Sequence, residues 1–192
     1  EMSAQCPSEF LKAQTIVARS WFLANIEQKH RHLGFDICND DCCQRYQGMA
    51  NCSEASIQSA DDTFGQVIVH DDKICDARYS KSCGGITENF ENVWAGDSIP
   101  YLVSIKDVNN SGVAFCSPEI VPEESLKKYM GNVDEKGQYY RWRYEATQGE
   151  LIQSLKDKRN IESAKIVHLI PERIGDSGRI INLRIEYKDS QD

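Results

Sequence analysis

The stretch Gly175-Asp176-Ser177-Gly178-Arg179-Ile180-Ile181-Asn182-Leu183-Arg184-Ile185-Glu186-Tyr187 decides the fold class. Ile181, Leu183, Ile185 and Tyr187 fall on one side of an extended chain, and Asn182, Arg184 and Glu186 on the other, which is the period of a strand. The Gly-Asp-Ser-Gly run before it turns the chain back toward Lys165–Ile170, a second apolar-rich run that reads as a strand. Just upstream, Glu150–Arg159 reads as a helix. Working back toward residue 1, Tyr140, Trp142 and Tyr144 alternate with Arg141 and Arg143, as in a half-buried strand. Pro122–Met130 suggests a short helix. Gln66–Val69 and Lys73–Ser80 read as a buried strand and its return around His70-Asp71-Asp72. Helices and strands are mixed without regular βαβ alternation, so the expected class is α+β with mostly antiparallel strands.

The first helix is expected to start at Ser8, whose side chain caps it. Its face is expected to be Phe10, Ala13, Val17, Trp21 and Ala24, and its end to come before Gly34. Residues 35–62 are polar and Cys-rich and read as an irregular loop. Ser82-Cys83-Gly84-Gly85 is a turn whose glycines permit positive φ. The 192 residues suit a single domain over residues 1–192, with two lobes as the alternative. The chain opens at Glu1-Met2 inside what reads as a motif, as a processed or trimmed chain would.

A net charge of −8, with both signs interspersed, excludes a basic field for tracking phosphates, so nucleic acid is not an expected partner. No run of about 18 apolar residues occurs, so no transmembrane helix is expected. Eight cysteines are unusual for this length. An even number suits disulfides in an oxidising compartment. Equally, His32, Cys38, Cys42 and Cys43 lie in one short window and have the donor chemistry of tetrahedral zinc, within a Cys-rich loop at 32–48. The pair Cys38 and Cys43 is expected to lie close together, because a polar loop needs a cross-link or an ion to offset its ordering entropy. His30, two residues from His32, would lie on a different helical face.

Four segments, in order, resemble the stage II sporulation protein D and amidase-enhancer family. They are Glu1-Met2 with Glu9–Gln14 and Ala18-Arg19-Ser20; Cys43–Gly48; Tyr79–Glu88 with Val93-Trp94 and Pro100–Leu102; and Ser177-Gly178-Arg179. Ser3, Phe10, Ser20 and Cys42 depart from the usual family residues. The resemblance implies a mixed α/β fold around a groove for a glycan strand and an extracytoplasmic, cell-envelope location. Peptidoglycan is the implied partner, acted on either by lytic transglycosylase chemistry or by stimulation of a cell-wall amidase. Such cleavage needs one carboxyl to protonate the bridging oxygen and then take the proton of the sugar's C6 hydroxyl. Glu1 holds the implied acid position. Glu9 is the rival, read mainly as a carboxylate complementing the helix dipole, and Glu88 is a third candidate. The resemblance assigns Gln44, Tyr46, Ser82, Cys83, Gly84 and Gly85 to substrate. A nucleophilic Cys83 would need His70 or His168 beside it, and the glycine turn is the favoured reading. Trp94 and Tyr101 suit either sugar stacking or the core.

Overall fold

The computed structural model describes residues 2–40, 42–44, 48–130, 140–163 and 165–189. It is an α+β protein of two compact units: one formed by residues 1–82 and 116–137, the other by 83–115 and 138–192.

The first unit is built on α1 (Ser8–Ala24), α2 (Glu54–Asp62), the short antiparallel strands β1 (Val69–His70) and β2 (Lys73–Ile74), and α3 (Glu123–Met130). Ser8 opens α1 without capping it: Pro7 stands at the cap, and its carbonyl accepts from Leu11 N at 3.0 Å. The helix ends at Ala24 rather than near Gly34, because Asn25 takes the left-handed conformation and returns its N–H to Trp21. Gly34, at φ +83°, instead closes a single 3₁₀ turn over Arg31–Leu33.

The buried side of α1 also differs from the apolar stripe. Leu11 and Ser20 are its buried residues, while Phe10 and Ala13 are exposed. Ser20 can be buried because its hydroxyl donates to Ile16 O (2.6 Å) and accepts from Ile68 N (2.9 Å), so neither polar group is orphaned. Its neighbour Arg19 donates to Thr63 O (2.6 Å) and Gln66 O (2.9 Å), satisfying carbonyls at and beyond the end of α2.

The helix α2 lies inside the stretch read as irregular. Ser53 and Ser56 cap it reciprocally, a serine standing where glutamate or glutamine usually marks such a box. Its end, α1 and the Cys75-Asp76-Ala77 segment supply most of the buried residues of this unit. The expected buried strand at Gln66–Val69 shrinks to an exposed two-residue strand, although its hairpin turn forms as read. Asp71 (φ +47°) and Asp72 (φ +58°) are both left-handed, as a two-residue hairpin turn demands.

The second unit carries α4 (Gln148–Arg159) and the antiparallel pair β3 (Lys165–Ile174) and β4 (Ile180–Lys188). Thr147 and Glu150 form a capping box that starts α4 two residues before the sequence reading. The helix is tied to β3 through Gln148 Nε2 to Ile166 O, at 3.0 Å. The β3–β4 register runs from Lys165 opposite Lys188 to Ile174 opposite Ile180. It slips beside Pro171, which lacks the N–H a regular ladder needs. Residues 140–144 form no strand; Trp142 and Tyr144 are each 75% exposed.

Candidate functional site

In the first unit, the loop after α1 gathers His30, Cys38, Cys42 and Cys43. Their ligand atoms all lie within 4.8 Å of one another. Cys38 Sγ and Cys42 Sγ are 3.1 Å apart, and Cys42 Sγ is 3.6 Å from His30 Nε2. Cys38 and Cys43 are therefore close, and each is a free thiol. The histidine differs from the expectation. His32 is exposed in the 3₁₀ turn and outside the cluster, while His30, stacked on Phe35 at 5.0 Å, supplies the imidazole. The expectation had placed both histidines on one continuous helix, and that helix ends at Ala24.

The loop is anchored beside the cluster by cations and carbonyls. Lys29 Nζ reaches Cys42 O at 2.8 Å and Glu27 at 2.5 Å. Glu27 also pairs with Arg78, which pairs with the buried Asp76. Burial pushes the Glu27 carboxyl up, but the hydrogen bonds from Lys29 and Arg78 outweigh it and hold the group below the usual carboxylate range. The Cys38–Cys42 hydrogen bond splits that pair, lowering the Cys38 thiol and raising Cys42 to about 11. Gln44 sends Nε2 to Ala18 O at 3.3 Å, so its amide is docked on α1.

In the second unit, the Cys83-Gly84-Gly85 turn has the positive φ its glycines allow, +67° and +98°. A Cβ on Gly85 would stand 2.8 Å from Ala114 Cβ, so the close approach there is with the protein's own Ala114 side chain. Cys83 Sγ donates to Asp107 Oδ2 (3.3 Å) and accepts from Gly85 N (3.3 Å), which makes the sulfur an internal brace of the turn. His70, in the other unit, pairs with Asp71. Ser82 Oγ is buried and has no hydrogen-bond partner among the described residues. Trp94 stacks on Phe90 at 5.6 Å.

The carboxylates are equally distinct. Glu9 is 85% exposed on the first turn of α1 and pairs with Lys12 at 3.3 Å. Glu88 accepts from Asn92 Nδ2 (2.8 Å), Asn89 N (2.9 Å), Ser177 N (3.3 Å) and the Ser177 hydroxyl. Burial pushes Glu88 up, but the Ser177 and Asn92 side chains and the two amides outweigh it and bring it down to about 2. This latch holding the Gly175–Gly178 turn is the feature that sequence reading missed; a Cβ on Gly175 would run into the Glu88 carboxylate. Two of the residues assigned from the sequence, Glu1 and Tyr46, lie outside the described residues.

An α+β chain with a thiol–imidazole cluster following its first helix can be set beside known proteins. The family described as stage II sporulation protein matches residues 1–70, and the one described as a domain of unknown function (DUF8618) matches residues 88–191. An uncharacterized protein of Brachyspira hyodysenteriae is 33% identical over 129 residues, 67% of this chain and 33% of that protein. The amidase enhancer of Bacillus subtilis is 30% identical over 115 residues, 60% of this chain and 15% of its own. The chain thus spans only a minor part of the length of either curated relative. No solved structure matches it. The chain belongs to the stage II sporulation protein D and amidase-enhancer family, and its residues 88–191 to the DUF8618 family. No helix among the described residues is long and apolar enough to cross a membrane.

Proposed function

We propose that this chain acts on the bacterial cell wall outside the cytoplasm, cutting peptidoglycan glycan strands as a lytic transglycosylase with Glu1 as the acid and then the base. The observation that carries this reading is the family match over residues 1–70, the part of the chain that holds Glu1-Met2 and the first helix. The other carboxylates weighed from the sequence support it by their unsuitability. A general acid must be protonated near neutral pH, which takes burial without ionic hydrogen bonds. Glu88, near 2 and engaged on both oxygens, has no proton to give. Glu9 is solvated and paired with a lysine. In the proposed reaction the carboxyl protonates the bridging oxygen as the glycosidic bond breaks. The resulting carboxylate takes the C6 hydroxyl proton as that oxygen closes a 1,6-anhydro ring, and no water is consumed.

The test uses Glu1→Gln, which keeps the size and removes the proton transfer. Purified glycan strands treated with the parent chain should give anhydro ends by mass spectrometry, and the variant should give none. Anhydro ends at the parent rate from the variant would overturn the role of Glu1. A second reading is a non-catalytic wall-binding module that stimulates an amidase, favoured by the name of the Bacillus subtilis relative. Strand binding with no cleavage product, together with faster amidase turnover, would establish it instead.

The proposal includes zinc held by His30, Cys38, Cys42 and Cys43. The donor set fits: a tetrahedral ion with bonds of about 2.0–2.3 Å keeps its ligands roughly 3.3–3.8 Å apart, and the cluster lies within 4.8 Å with two pairs at 3.1 and 3.6 Å. Three thiolates and an imidazole leave no open position, so the ion would order the loop and support the docked Gln44.

A further inference from the structure

In the second unit, two guanidinium groups converge on the Cys83-Gly84-Gly85 turn. Arg179, just before β4, donates Nη2 to Cys83 O (2.6 Å) and Nη1 to Ile86 O (2.9 Å). Arg141 donates Nη1 to Tyr140 O (2.9 Å) and Gly84 O (3.3 Å), and its Cζ lies 3.9 Å over the Tyr140 ring. Both guanidinium groups come within 4 Å of the point where a Gly84 Cβ would stand. Neither is ion-paired with a carboxylate among the described residues; Asp107, the acid of this turn, holds the Cys83 thiol.

Carbonyl bonds hold both guanidiniums and the Tyr140 ring stacks on Arg141, while no carboxylate among the described residues compensates either charge. Each guanidinium has five N–H donors, and the bonds named here leave some of each group's donors free. A protein with a net charge of −8 has ample carboxylate with which to neutralise such a pair. Both arginines are exposed, and the stretch that carries Arg141 also exposes Trp142 and Tyr144. Fixed, paired guanidinium forks match the bidentate geometry of carboxylates. Exposed aromatic side chains one and three positions along the chain from Arg141 suit the apolar faces of sugar rings.

From this we infer that Arg141 and Arg179 form a subsite for a carboxylate carried on the glycan strand, with Trp142 and Tyr144 flanking it. The inference rests on the peptidoglycan reading. Two carboxylates on that polymer have the required chemistry: the lactyl group of a strand stripped of its peptides, and the acids of an attached stem.

The experiment is a calorimetric titration of the whole chain with soluble glycan strands. They are used as isolated, and after their carboxyls have been reduced to alcohols. The parent chain should bind intact strands at least about tenfold more tightly than reduced ones, a factor equivalent to about 1.4 kcal/mol. Arg141→Gln should bring the ratio close to one with little change toward reduced strands, and Arg141→Lys should restore part of it. Trp142→Ala should instead weaken both strands alike. Thermal unfolding of each variant checks the fold. Strands with and without stems assign the carboxylate: a larger ratio for stripped strands marks the lactyl group, and a larger one for stem-bearing strands marks the stem. Equal binding of intact and reduced strands by the parent chain overturns the subsite and leaves the wall reading standing. No binding of either strand overturns both.

Discussion

The loop around Cys38–Cys43 and the turn at Gly175–Gly178 are both short, polar and poor in apolar contacts, yet they are held by opposite means. The turn is complete in itself. Glu88 reaches it with a charge, and the hydrogen bonds to both carboxylate oxygens come from the protein's own donors. The loop is arranged but not closed, with three thiols and an imidazole facing one another at distances an ion could bridge. A carboxylate engaged on both oxygens is a structural part, whereas soft donors gathered on one another have the arrangement that the proposed zinc would use. Residue type alone does not separate the two: it makes Glu88 a third candidate acid and reads the cysteines equally as disulfides or as zinc ligands.

The contrast breaks most readily at the loop. With zinc bound, chelation should cost several kcal/mol of stability, on the scale of structural zinc sites, which reach about 10–16 kcal/mol. Elemental analysis should give one zinc per chain, His30→Ala should lose it, and His32→Ala should keep it. Zinc retained by His30→Ala and lost by His32→Ala would reverse the assignment.

Next in size is Gly85→Ala. It meets Ala114 at 2.8 Å and forces a side chain to φ +98°, and it should cost about 2–4 kcal/mol in chemical denaturation. A neutral result would mean that the turn relaxes freely away from Ala114.

The Glu88 latch should then show as an acid limb. Its folded-state value, about 2, lies below the ordinary 4.5. Its contribution is therefore full above about pH 4.5 and is lost as pH falls toward 2. Glu88→Gln should remove about 1.5–3 kcal/mol near neutral pH and flatten that limb. An unchanged acid limb in the variant would show that the latch contributes nothing. Smallest is Glu9→Gln, whose exposed pair should be worth no more than about 0.5 kcal/mol and whose loss should leave strand cleavage intact.

The sequence carried the hairpin of β3 and β4, the helices α3 and α4 and the Asp71-Asp72 turn, because each has a local signal: alternation, a cap or paired turn residues. It misled where a local signal had no tertiary partner. Tyr140–Tyr144 alternates like a strand, but Arg141 turns its donors to the Gly84 carbonyl instead. The donors of the cysteine cluster were legible, except that the choice of histidine depended on where α1 stops. That in turn depended on Asn25 adopting a left-handed conformation. The Glu88 latch joins residues 89 positions apart and leaves no periodicity to read.

The boundaries of the two units have a consequence for synthesis. Ser3 N and Cys6 Sγ both donate to Tyr129 O, and Cys6 and Tyr129 are 123 positions apart. On a ribosome the turn before α1 leaves the tunnel well before α3, and those two donors have no such acceptor until α3 has emerged. By then residues 83–115, a large part of the second unit, are already outside the tunnel. The first unit is therefore completed late and around an interruption, and the turn before α1 must wait for its partner while later residues emerge. A nascent chain stalled before residue 116 should be protease-sensitive at the turn before α1, around residues 3–6, and one stalled well after residue 137 should not.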